Sequence, residues 1–202
     1  MKLRRRLLFL ALLLLLAAGS AMAAYNEPAY TVVEQHPLYE VREYAPHIVA
    51  EVTTQGSYGA SSSTAFRVLA KYIFGGNESR DGSGSRPMSM TIPVTATPKN
   101  ETETQHVWTF FMEPQYTLET LPTPNDSRVS LVEVPARRVA VKRYSGRTTE
   151  SNFHEARAVL AEALRADGVD ASGEATNAVY NGPWTPPFLR RNEVLQPLGS
   201  SK

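Results

Sequence analysis

Glu43-Tyr44-Ala45-Pro46-His47-Ile48-Val49-Ala50-Glu51-Val52-Thr53-Thr54-Gln55-Gly56 returns ninety positions later as Glu133-Val134-Pro135-Ala136-Arg137-Arg138-Val139-Ala140-Val141-Lys142-Arg143-Tyr144-Ser145-Gly146. Val49-Ala50 falls on Val139-Ala140, and Gly56 on Gly146. After each Gly come a polar Ser/Thr stretch and a helical pattern, Ala65-Phe66-Arg67-Val68-Leu69-Ala70 in the first copy and Ala156-Arg157-Ala158-Val159-Leu160-Ala161 in the second. Two copies at so long a period are not a solenoid. They predict a duplicated β-α-β-β unit, an α+β domain in which a pseudo-two-fold antiparallel sheet or distorted barrel is flanked by two helices.

Outward from the repeat, Tyr39 to Tyr44 and Ile48 to Val52 alternate apolar and polar with period two, as half-buried strands do. A helix from about Ser62 places Ala65, Phe66, Leu69, Tyr72 and Ile73 on one stripe. Its second copy does the same with Phe153, Ala156, Leu160 and Leu164, and Asp167-Gly168 stops it. His106 to Met112 reads as a strong strand, with His106 on the face of Trp108, Phe110 and Met112. Pro122, Pro124 and Asn125-Asp126 mark the crossover between the halves. Gly75 to Ser85 is rich in Gly, Ser and charge with no apolar residue, the composition of a mobile flap.

The N-terminus reads as an address. Lys2, Arg4, Arg5 and Arg6 precede the unbroken apolar run Leu7 to Ala18, and Ala21-Met22-Ala23 supplies small residues for a signal peptidase. Residues 1–23 are thus expected to be a signal peptide and 24–202 a single domain, periplasmic or secreted. The apolar run falls short of the ~20 residues that cross a bilayer core, so an uncleaved anchor is the second reading. With the leader's four cations removed, 17 Lys and Arg face 20 Asp and Glu, a net charge of −3. Nothing in that balance points to nucleic acid or an anionic membrane as a partner.

The chain has no cysteine, so neither disulfides, thiolate haem ligation, covalent haem attachment nor a cysteine nucleophile is available. It lacks the Gly-x-Ser-x-Gly, His-Glu-x-x-His, phosphate-loop and Rossmann patterns. Its four histidines, His36, His47, His106 and His154, have no metal-ligand spacing among themselves. The expectation is a binding protein and not an enzyme.

Two further blocks are specific. One runs Lys71-Tyr72-Ile73-Phe74-Gly75-Gly76-Asn77 on to Met88-Ser89-Met90-Thr91-Ile92-Pro93-Val94; the other is Trp184-Thr185-Pro186-Pro187-Phe188-Leu189-Arg190-Arg191-Asn192-Glu193-Val194. In this order they resemble the SOUL/haem-binding protein family over about Tyr30 to Pro197. The resemblance implies an apolar cleft for haem b or another porphyrin, held reversibly. On that reading Phe66, Leu69, Met88, Met90, Trp184 and Phe188 would line the cleft, while Arg67 and Lys71, i and i+4 on one helix edge, would meet propionates. Each has a plainer alternative. Met88 and Met90, two apart on an expected strand, also suit core filling. Arg67 and Lys71 suit a solvated helix face, and the aromatic loop suits covering the barrel end. Arg190 and Arg191 suit pairing with Glu193 or with strand carbonyls. His106 is a weak candidate for an iron ligand.

The same duplicated architecture resembles effector-binding domains related to gyrase inhibitory proteins, some of which take cationic lipophilic molecules. A carboxylate in the cleft would favour that function, with Glu51 and Glu113 the nearest candidates. A basic rim would favour haem. A ligand-free envelope interaction protein is the third reading.

Overall fold

The two copies of the repeat become two interlocked halves of one sheet. In the computed structural model, which describes residues 25–99 and 102–199, the first half comprises β2 (Glu40–Tyr44), β3 (His47–Gln55), α1 (Tyr58–Ile73), β5 (Val94–Pro98) and β6 (Gln105–Phe111). The second comprises β8 (Ser130–Val134), β9 (Arg137–Tyr144), α2 (Glu150–Asp167), β10 (Thr176–Val179) and β11 (Asn192–Pro197). β1 (Tyr30–Gln35) precedes them, and β4 (Asn77–Glu78) pairs with β7 (Thr123–Pro124) as a separate ribbon. The expected signal peptide lies outside the described residues.

The nine-stranded antiparallel sheet runs β1-β2-β9-β11-β10-β5-β6-β3-β8 and curls into a half-barrel. Without β1, this order maps onto its own reverse when the halves are exchanged, so a pseudo-two-fold axis passes between β10 and β5. Each half gives its first strand to the other: β2 pairs with β9, and β8 with β3. The ninety-residue offset survives in the register, Val41↔Ala140 in one half matching Ala50↔Leu131 in the other. Gly56 and Gly146 both hold left-handed backbone, φ +100° and +111°, as the strand turns toward its helix.

Both helices lie on one face of the sheet, each over its own core. α1 covers Ala50, Val52, Ala96, Trp108, Phe110 and Met112. α2 covers Tyr39, Val41, Ala140 and Val194 with Phe153, Ala156, Leu160 and Leu164. The α2 stripe matches the sequence expectation, down to the left-handed Gly168 cap. α1 starts four residues earlier than expected, and its stripe runs through Tyr58, Ser61, Ala65, Val68, Leu69, Tyr72 and Ile73. Phe66 is displaced to the edge, because a 100° step from Ala65 carries it off the buried face, where it meets Phe110 edge-on at 5.6 Å.

One expectation needs correcting. Met88 to Met90 is extended but forms no strand: the segment lies between Pro87 and Pro93 and has no partner strand. Its amides go elsewhere, Met88 N to Ile73 O and Ser89 N to the Glu113 carboxylate. The Gly75–Ser85 segment does organise itself, through polar burial in place of apolar burial. Asn77, 1 % exposed, donates to the carbonyls of Tyr72 and Arg86 at 2.7 and 3.0 Å and accepts from Arg86 N at 2.9 Å. Asn125 N→Gly76 O and Arg80 Nε→Leu121 O fasten the same segment to the crossover.

Leu69 and Leu160 occupy equivalent positions in separate cores and are essentially unexposed. Leu69→Ala and Leu160→Ala should each cost about 2–5 kcal/mol. Because the cores do not share side chains, the double variant should equal the sum within ~0.5 kcal/mol in urea denaturation.

Candidate functional site

The second specific block folds as a projecting loop standing on an ionic base. Residues 180–191 join β10 to β11 and contain a short 3₁₀ turn, Pro187–Leu189. Prolines at 183, 186 and 187 limit the backbone. Arg190 threads back under the loop, its Nε donating to Thr185 O at 2.8 Å and Nη2 to Pro183 O at 2.6 Å. Arg191 N donates to the Asn181 side chain, and Gly146 N to Pro187 O. With its backbone thus occupied, the loop leaves Trp184 95 %, Phe188 77 % and Leu189 64 % exposed.

Beneath the loop lies Glu193, fully buried. Its carboxylate accepts from Arg42 Nη1 and Nη2 at 2.8 and 3.1 Å, from Arg191 Nε at 2.9 Å and from the Tyr180 hydroxyl at 2.7 Å. Arg191 also lies 3.6 Å over the Tyr180 ring and reaches Glu27, so it serves the network from several sides. Burial alone would raise the Glu193 carboxyl, but the donors from Arg42, Tyr180 and Arg191 hold it below the ordinary carboxylate range. Burial and the Glu193 charge together push Tyr180 up, so it stays a neutral donor.

Two cavities open on the helix-free face. Arg42, Val141 and Glu193 point to this face, being one step out of phase with Val41, Ala140 and Val194 under α2. One cavity, of about 440 Å³, is lined by Tyr30, His36, Arg42, Arg143, Arg191 and Glu193. The other, of about 280 Å³, is more apolar, with Tyr44, Val49, Val107, Phe111 and Leu195 beside Glu51. The strand registers make Val132 and Val107 the two-fold counterparts of Arg42 and Glu193. The two symmetry-related sites, each drawing one residue from either half, have therefore diverged, one ionic and the other apolar.

The sequence-named residues distribute into three places. Leu69 and Met88 are sealed in the α1 core, and Met90 packs partly against it. His106 is 2 % exposed, held by Tyr58, Trp108 and the Gly56 carbonyl 3.3 Å from Nδ1, and lines neither cavity. Phe66, Arg67 and Lys71 are exposed along α1, and Trp184 and Phe188 on the loop. Phe110, Val94 and Val179 are successive partners across β6, β5 and β10. Phe66, seated on Phe110, thus lies about two strand spacings, ~10 Å, from where the loop departs. The internal two-fold agrees. The β5–β6 loop binds Gly56 N through Thr104 O and touches the opposite helix, α2, through Glu103. The β10–β11 loop binds Gly146 N through Pro187 O, and its counterpart helix is α1.

Sequence reading found the Arg191–Glu193 pairing but missed Arg42, Tyr180 and Glu27. The available signal was Arg42 in the period-two pattern of β2, opposite in phase to Val41. Glu193→Gln should lose about 3–5 kcal/mol, because two guanidiniums remain buried against a neutral amide. The sign with pH follows from the lowered carboxyl. The stabilisation is complete above the unfolded value of ~4.3 and is lost as pH falls through the folded one. Urea midpoints measured below about pH 4 should therefore fall more steeply for the wild type than for Glu193→Gln.

Comparison with solved structures finds the same fold at low identity. A hydrolase from Listeria innocua superposes with a TM-score of 0.56 at 13 % identity, covering 88 % of this chain and 94 % of that one. The EcmrR C-terminal domain gives 0.60 at 9 % identity, covering 85 % and 99 %. At such identity the likeness is one of fold alone. No curated protein matches the sequence. No helix among the described residues is long and apolar enough to cross a membrane. The SOUL heme-binding protein model, by contrast, matches residues 25–197, and the chain belongs to that family.

Proposed function

We propose that this chain is an exported, reversible carrier or buffer of haem b or a related porphyrin, and that it works by binding and not by catalysis. The observation that carries the reading is the projection of Trp184, Phe188 and Leu189 from a hydrogen-bonded loop. Large apolar side chains left in water forgo burial of roughly 1.5–3 kcal/mol each, which a flat apolar ligand restores. Aromatic faces suit a planar macrocycle, and Phe66 offers a third on the facing helix. Arg67 and Lys71 supply cations one turn apart, the complement of two propionates. No iron ligand is needed, since macrocycle burial and propionate pairing suffice for reversible binding.

The internal carboxylate argues in the same direction. A lipophilic cation would require a free acid, and Glu193 is already committed to two guanidiniums. The larger cavity is lined by three guanidiniums, Arg42, Arg143 and Arg191, against two carboxylates, Glu40 and Glu193. A second reading, an effector domain for lipophilic cations, rests on Glu51 in the apolar cavity.

Haemin titrated into residues 24–202 should give a saturable one-to-one Soret shift. Trp184→Ala/Phe188→Ala should weaken it about tenfold or more, and Arg67→Ala/Lys71→Ala about three- to tenfold, with far-UV circular dichroism unchanged. Glu51→Gln should bind haemin as the wild type does. A non-saturating shift, equal in all variants, overturns the carrier reading. Saturable binding of a lipophilic cation, abolished by Glu51→Gln, would install the second.

A further inference from the structure

We infer a site for a divalent transition-metal ion of the zinc class where the β5–β6 loop meets the first turns of α2. Glu103, Glu150 and His154 each direct one ligand atom there, and the three atoms lie within 4.8 Å of one another. Glu150 and His154 are i and i+4 on α2, so they share one helix face. Glu103 arrives from a hairpin 51 residues upstream of His154, and its Oε2 lies 2.6 Å from His154 Nε2. All three residues are half-buried. The site is separate from the aromatic loop and from both cavities.

The surrounding groups suit ligation. Arg157 Nη1 holds the other Glu103 oxygen, Oε1, at 3.0 Å. It fixes the carboxylate and leaves Oε2 facing the imidazole, the arrangement in which a second hydrogen bond orients a metal ligand. Two carboxylates against one guanidinium leave a net negative charge beside the imidazole, which a divalent cation neutralises. One nitrogen and two oxygens match zinc and its neighbours, whereas calcium and magnesium take oxygen-only sets. Donors around a tetrahedral zinc stand ~3.3 Å apart at bond lengths near 2.0–2.1 Å. The Glu103–His154 pair must open by less than 1 Å to admit the ion, within the reach of a side-chain adjustment. Water completes the coordination. The bound ion would staple the β5–β6 hairpin of one half to the helix of the other.

The ordinary alternative is an ion pair alone, with Glu150 also favouring the α2 N-terminus. Tag-free residues 24–202, stripped with chelator, separate the two. Calorimetric titration with Zn²⁺ should show one equivalent bound, Co²⁺ should develop visible ligand-field bands, and the thermal midpoint should rise with metal. His154→Ala and Glu103→Gln should each weaken binding at least tenfold, while His36→Ala, altering another acid-flanked histidine, should not. Absence of a saturable equivalent, or an unchanged affinity in His154→Ala, overturns the site and leaves the ion pair. Loss of binding in His36→Ala alone would overturn it by moving the ion to the Glu34–His36–Asp167 group.

Discussion

The buried carboxylate of Glu193 is the constraint around which the second half of the molecule is arranged. It draws donors from β2 and from Tyr180 and Arg191, the first and last residues of the β10–β11 loop, so β2, β10 and β11 must all be in place before it is satisfied. Arg42 belongs to the first half of the chain and Glu193 to the second, 151 residues apart. The pair therefore locks the exchange by which β2 leaves its own half to lie against β9. A buried ion pair adds little net stability over an apolar pair of the same size, because desolvation offsets the attraction. Its value lies in selectivity: a one-residue slip of β2 would turn Arg42 to the helix side and leave Glu193 facing Val41.

The same carboxylate governs the exposed loop. Arg191 is shared between Glu193, Glu27 and the Tyr180 ring, and its neighbour Arg190 is threaded into the loop's carbonyls. The Arg-Arg-Asn-Glu sequence is thus a hinge between core and surface, one guanidinium pointing inward and the next outward. Asn192 takes part as well, its amide reaching Gly146 O while its strand pairs with β9. The prolines and these bonds limit the freedom of the loop's backbone, so the exposed side chains stand on a constrained base.

How much of this was legible in the sequence depends on the range of the interaction. The duplication was readable because its register is a local pattern repeated, Val49-Ala50 on Val139-Ala140, and the structure keeps that offset strand by strand. The α2 stripe was readable because Phe153, Ala156, Leu160 and Leu164 all obey one period. Phe66 was misassigned since an aromatic one step off the stripe looks apolar in composition, and only the sheet decides which edge is covered. The strand expected at Met88–Met90 failed because alternation says nothing about whether a partner strand is available. In the Gly/Ser segment, composition hides a single buried asparagine, Asn77, that satisfies three backbone groups. The Arg42–Glu193 pair and the Glu103–His154 approach are contacts across the fold: the local pattern shows which face Arg42 takes but not its partner, 151 residues away.

Divergence between the two halves explains why one fold can hold such different chemistry. At two-fold-related positions Val107 of the first half and Val132 of the second stand where the other site has Glu193 of the second and Arg42 of the first. One cavity is accordingly apolar and one is ionic, though the backbones are equivalent. The hairpin loops diverged in the same manner. In the first half the loop turns a charged residue, Glu103, onto the opposite helix, and in the second it turns aromatic side chains outward beside the other helix. Duplication supplied two copies of each location, so one could retain contacts that stabilise the domain while the other was free to diverge. An exposed Trp184 is tolerable in such a molecule because the buried ion pair, and not the burial of the loop's own side chains, keeps the loop in place.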